Sequence, residues 1–289
     1  TRPRRPSPCP GCLMPSARRF ALLLCALPLG LAARGEQDAK SDAKSETMVE
    51  VQTGTLPIVI AAAQGGTEAI PGVPERMGVG VKNFATSTDT GTAALAKAYA
   101  AEVEKQLKGK PWVVIAKYSR KYVDPNRAAD QAYEAKAAKA YYDAYHTPLA
   151  TALKTIKEKQ GGNGILIDVH GQSKYPDAVL RGTQNGKSVV LLRQRGGYAA
   201  VGGKNSLLGR FERLGNKVLP QSAAGEKAKE ETGYTGGYTV GHYGSHAEGG
   251  IDTMQLVFGT KMRAPEALPK TAKDLAEATA AFHDAYLKK

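Results

Sequence analysis

Cysteine is scarce in this chain of 289 residues: there are three, Cys9, Cys12 and Cys25, and none follows position 25. Everything downstream therefore works without a disulfide, a thiolate metal site or a cysteine nucleophile. Cys9-Pro10-Gly11-Cys12 has redox or zinc spacing, but no second pair answers it. Acids are absent from the first 34 residues, where Arg2, Arg4, Arg5, Arg18, Arg19 and Arg34 stand. Six of the thirteen net positive charges fall there, which leaves +7 for the rest of the chain. Those later lysines are scattered among acids, and no basic run is interleaved with aromatics, so the charge does not indicate a nucleic-acid partner. Long apolar runs are missing too. The longest, Phe20 to Ala33, has 14 residues and is short for a bilayer span.

That run follows Arg18-Arg19 and ends at the small pair Ala32-Ala33. Residues 1–34 thus read as an export signal or upstream segment, with a single membrane anchor as the alternative and Met14 as a more natural start than Thr1. The expectation is a secreted or periplasmic protein that meets membrane only through this segment. Residues 35–54 are polar and contain the near-repeat Asp38-Ala39-Lys40-Ser41 and Asp42-Ala43-Lys44-Ser45. They read as a disordered tether, ahead of a domain over 55–289.

Within that domain, Leu56 to Ala63 is apolar throughout and predicts a strand covered on both faces. Ala93, Ala96, Ala100 and Val103 recur at helical spacing within Thr92 to Leu107. Trp112 to Ala116 and Ile165 to Val169 predict further strands, and Thr253 to Phe258 a last one. Ala128 to Glu158 is mostly helical, with a break or kink at Pro148. Val189 to Leu192 is a helix or a short strand, Leu207 to Leu214 a helix, and Thr271 to Leu287 an amphipathic C-terminal helix. Residues 221 to 250 are glycine-rich and read as loop. The alternation of strand and helix implies one three-layer α/β domain around a mainly parallel sheet.

Chemistry gathers behind the strands. Ala116-Lys117-Tyr118-Ser119-Arg120-Lys121-Tyr122-Val123-Asp124-Pro125-Asn126-Arg127 follows the second strand, at the end where open α/β sheets place ligands. Arg120 and Arg127 are candidates for gripping a substrate carboxylate with the guanidinium fork; the alternative is a surface arginine pair with Asp124 as partner. His170 ends a strand beside Gly171 and suits a metal ligand or a hydrogen-bonded loop histidine. Asp168, two residues earlier, faces the same side. It would orient that ring or serve as a buried structural carboxylate. Asp89 is a candidate anionic ligand or a helix N-cap.

Five segments, in order, resemble the N-formylglutamate amidohydrolase family, zinc hydrolases related in fold to the zinc carboxypeptidases. They are Leu56 to Arg76, Ile165 to Ser173, Arg181-Gly182-Thr183-Gln184-Asn185-Gly186, Gly236-Gly237-Tyr238-Thr239 and Gly250 to Gly259, and the resemblance covers residues 55 to 288. It implies a zinc-dependent hydrolase acting on the amide bond of N-acyl amino acids or small peptides. It assigns metal ligands to positions 64, 89 and 170, here Gln64, Asp89 and His170. Substrate binding falls to Asn126 and Arg127, with Arg120, Arg181, His146 and Tyr238 as further candidates. Two positions depart from the pattern. Relatives carry histidine where Gln64 stands and glutamate where Val257 stands, so a ligand and the general base are replaced. Glu248 and His246, with His242, are the candidates to take over catalysis from the neighbouring loop, and Glu68 is a further carboxylate near Gln64. The alternative is a non-catalytic carboxylate- or peptide-binding protein on the same fold.

Overall fold

Apolar strands buried on both faces set the centre of the molecule, as residues such as Ile58-Val59-Ile60 and Val113-Val114-Ile115 require. The computed structural model describes residues 44–222, 230, 231 and 233–288. Seven strands form one sheet: β1 Val49–Gln52, β2 Ile58–Ala62, β3 Trp112–Ala116, β4 Ile165–Gln172, β5 Ala178–Gly182, β6 Lys217–Leu219 and β7 Asp252–Gly259. Their order is β1-β3-β2-β4-β7-β5-β6. β3, β2, β4 and β7 run parallel, while β1 and β5 lie antiparallel to β3 and β7. Strand order reverses direction at β2, which leaves a crevice at the carboxyl ends of β2, β3 and β4.

Side-chain alternation divides the core into two layers. Ile58, Ile60, Ile165, Ile167, Val169, Met254, Leu256 and Phe258 pack against α1 Thr92–Leu107 and the C-terminal helix Leu268–Tyr286. Val59, Ala61, Val114 and Leu166 face the long helix Lys139–Gln160, through Tyr145, Leu149 and Leu153. Each fully buried Ile or Leu contributes about 1.5–3 kcal/mol relative to exposure. The same parity turns Asp168, His170, Gln255 and Val257 toward the second layer, all four buried, with His170, Gln255 and Val257 reaching the floor of a cleft.

Several sequence expectations are corrected. The tether expected over 35–54 ends early: Val49–Gln52 pairs with Trp112–Ala116 as an edge strand, and Met48 and Val49 are buried. Alternation in Val49-Glu50-Val51-Gln52 carries that strand, masked by the polar residues before it. The helix Lys139–Gln160 runs unbroken through Pro148. The expected loop over 221–250 contains a short helix, Tyr238–Tyr243. The strand β5, Ala178-Val179-Leu180-Arg181-Gly182, carries an arginine and a glycine that break its apolar run, and β6 has only three residues, so neither shows a strand pattern in the sequence. The export signal and the first part of the tether lie outside the described residues. Among the described residues, no helix is long and apolar enough to cross a membrane.

Candidate active site

A cleft of about 420 Å³ opens at the carboxyl ends of the parallel strands. It brings together Gln64, Asp89, Arg120, Asn126, Arg127 and His170, and adds Asp124, Lys82, Gln255 and Val257. Gln64 follows β2, the arginines follow β3, His170 ends β4 and Val257 sits opposite His170 on β7.

Asp124 organises one wall. It is fully buried and its Oδ2 accepts from Arg120 Nη2 at 2.6 Å and Arg127 Nε at 3.2 Å, with Arg76 Nη2 at 3.8 Å. Its Oδ1 accepts from Gln64 Nε2 at 2.6 Å and the Asn126 backbone N–H at 3.2 Å. Arg127 also donates to the carbonyls of Lys82 and Asn83, and Arg76 to those of Arg120 and Ala85. The arginines therefore form a cluster around a buried carboxylate, Arg76 buried and Arg120 and Arg127 partly so, rather than a surface pair. Burial lowers the Arg76 pKa, against the pull of Asp124. Asn126 Oδ1 accepts from the Thr239 N–H at 2.9 Å, which fixes the carboxamide so that Nδ2 faces the ring of His170. Gly237 packs on this carboxamide: a methyl there would meet Asn126 Oδ1 at 2.6 Å.

His170 forms the opposite wall. Nε2 lies 2.9 Å from Asp168 Oδ2, and Nδ1 lies 3.1 Å from Asp89 Oδ2. A carboxylate oxygen at each nitrogen calls for a proton on both. Burial alone would lower the His170 pKa, but Asp168 and Asp89 outweigh it and raise it to about 10. Burial likewise works to raise the Asp89 pKa, yet the bonds from His170 and the Gly171 N–H bring it below its usual value. Asp89 is not the helix cap; Gly91 holds that place. Arg263, unread in the sequence, donates to the carbonyls of Thr90, Phe258 and Gln172 and so ties the Asp89 turn to the strand ends. Arg120, Arg127 and Lys82 line the cleft against Asp89 and Asp124, which leaves one net positive charge before His170 is counted. The cleft suits an anion.

The other expected site residues lie elsewhere. His146 is held between Pro125 and Tyr243: Nε2 donates to the Pro125 carbonyl and Nδ1 accepts from the Tyr243 hydroxyl at 2.7 Å. Burial lowers its pKa to about 4, so it braces the Asn126 loop as a neutral ring. Tyr238 stacks on His242 beside that ring and does not line the cleft. Arg181 is buried against Glu231, with Nε to Oε1 at 2.9 Å, and lines a separate cavity. Glu248 and His246 are exposed and absent from the cleft wall. Glu248 and His242 instead line a cavity against Lys154 and Lys157. The turn after Tyr238–Tyr243 carries them away from His170, which sequence adjacency to Gly250 concealed. Glu68 bridges to Tyr118 through its backbone and is exposed.

No protein-family model matches the sequence, and no curated protein does. Solved structures do. The N-formylglutamate amidohydrolase from Ralstonia eutropha JMP134 superposes with a TM-score of 0.57 at 14% identity, over 80% of this chain and 95% of that one. The chain has the fold of an N-formylglutamate amidohydrolase. A gene product of Agrobacterium tumefaciens is also similar, with a TM-score of 0.50 at 12% identity, over 82% of this chain and 95% of that one.

The donor set does not fit zinc. Catalytic zinc is held by three protein ligands, chiefly imidazole and carboxylate. Here position 64 supplies a carboxamide whose nitrogen is bound to Asp124, and both nitrogens of His170 face carboxylates. Among the described residues, no group of three His, Cys, Asp or Glu side chains is placed to hold a metal. Val257 provides no base.

Proposed function

We propose that this protein binds an N-acyl amino acid or small peptide by its carboxylate, in a cleft of amidohydrolase type that has lost turnover. The arginine cluster on Asp124 carries this reading. Arg120 and Arg127 are oriented in advance by a buried carboxylate, so little side-chain freedom is lost when an anion arrives. Asn126, with its oxygen held by Thr239, keeps Nδ2 beside the His170 ring as the donor for an amide carbonyl of the ligand. Asp89 and His170, the ring held by Asp168 behind it, form the facing wall. The resemblance in fold supports the ligand class; Gln64 and Val257 argue against the reaction. The test is calorimetric titration with N-acetyl-L-glutamate and a glutamyl dipeptide, alongside a hydrolysis assay. Arg127→Lys keeps the charge and loses the fork, and should weaken binding about tenfold. No saturable binding by either compound overturns the proposal.

A second reading, a metal-dependent amidohydrolase, has one specific observation in its favour. Asp168 on Nε2 of His170 resembles the carboxylate that orients a metal-ligating histidine, and Asp89 stands at the other nitrogen. Zinc-dependent release of amine from N-acyl amino acids by the unmodified protein would establish it.

A further inference from the structure

We infer that the cleft takes its carboxylate ligand without a metal ion. The inference rests on the binding reading above. The resemblance assigns zinc to positions 64, 89 and 170, and each is engaged otherwise. Gln64 donates from Nε2 to Asp124 Oδ1 at 2.6 Å. A carboxylate only accepts, so the nitrogen of that carboxamide is fixed against Asp124. His170 has Asp168 Oδ2 at one ring nitrogen and Asp89 Oδ2 at the other, so both nitrogens are already engaged by carboxylates. The same Asp89 oxygen accepts from the Gly171 N–H at 2.9 Å. A cation would find a carboxamide oxygen and one carboxylate oxygen, a poor set for zinc.

Side chains supply the positive charge instead. Arg76, Arg120 and Arg127 surround one carboxylate, Asp124. Two of their nitrogens, Arg76 Nη1 and Arg120 Nε, are buried without a hydrogen-bond acceptor. Buried donors normally have partners, so this cluster is short of anionic oxygen. A ligand carboxylate arriving beside it supplies that charge. Gln64 is thus more than a missing ligand: by binding Asp124, it connects the end of β2 to the arginine cluster.

The experiment is titration of the full chain with N-acetyl-L-glutamate and a glutamyl dipeptide, once in excess EDTA and once with zinc added. The expected Kd is the same within about twofold in both. Gln64→His should make binding respond to zinc, because imidazole replaces the carboxamide and releases Asp124. Binding by the unmodified chain that requires zinc, or that zinc tightens about tenfold, overturns the inference and leaves the carboxylate reading standing. Absence of binding in either condition overturns both.

Discussion

Asp124→Asn is the sharpest test of the site. The substitution keeps the shape of a side chain that is fully buried and removes the carboxylate that Arg76, Arg120 and Arg127 share. An asparagine oxygen can still accept from Gln64 Nε2 and the Asn126 N–H. Its NH2 then points at Arg120 Nη2 and Arg127 Nε, donor against donor. All three guanidiniums are largely shielded, with side chains 1–15% exposed, so water does not restore the loss. Removing one partner of a buried ion pair costs about 3–5 kcal/mol. For a domain of this size, each 1 kcal/mol moves Tm by about 2–4 °C, so the variant should melt roughly 6–20 °C lower. Thermal unfolding followed by circular dichroism reads this directly. The loss should persist in 1 M salt at about the same size, since buried pairs are screened far less than exposed ones. By contrast, breaking the exposed Lys139–Asp143 pair should cost about 0–1 kcal/mol and vanish in salt. A loss under about 1 kcal/mol for Asp124→Asn, or one erased by salt, would refute the view that Asp124 holds the cluster together.

Three further outcomes are expected. Gly237→Ala should displace the Asn126 carboxamide, since its methyl would lie 2.6 Å from Oδ1; the cost is about 1–3 kcal/mol, and calorimetry should show weaker carboxylate binding, whereas unchanged affinity removes Asn126 from the ligand's contacts. The folded pKa of His146, about 4, lies below the ordinary 6.5, so the unfolded chain takes up the proton first. The stability it contributes is whole above about pH 6.5 and declines by up to about 3 kcal/mol as pH falls to 4. His146→Gln, which keeps a donor and an acceptor but does not titrate, should flatten that part of a denaturant-measured pH profile, and an unchanged slope assigns the acid sensitivity elsewhere. Gln64→His with Val257→Glu should together raise zinc content and amide hydrolysis, and each alone should do less, because ligand and base act on the same water; metal analysis and an amine-release assay decide, and equal effects of the single changes would contradict the coupling.

Much of the fold was legible in the sequence, for local reasons. Thr92–Leu107 and Trp112–Ala116 carry unambiguous periods, the first helical and the second a continuous β-branched run, and the structure places both elements at those bounds. Asp168 and His170 two apart on a strand had to share a face. The departures at Gln64 and Val257 were visible as residue types. Sequence also located Asn126 and Arg127 behind a strand, where a parallel sheet opens its crevice.

Tertiary structure decided the rest, because burial and partner choice are not local properties. Asp124 looked like a partner for surface arginines; the chain buries it and brings Arg76, 48 positions earlier, to the same carboxylate. His146 sits in a helix like many histidines, and only packing against Pro125 and Tyr243 makes it a neutral brace. Arg181 was drawn off by Glu231, 50 positions away. Glu248 and His246 were near β7 in sequence yet leave the cleft, because the turn between two elements sets direction by its backbone, which residue spacing does not reveal.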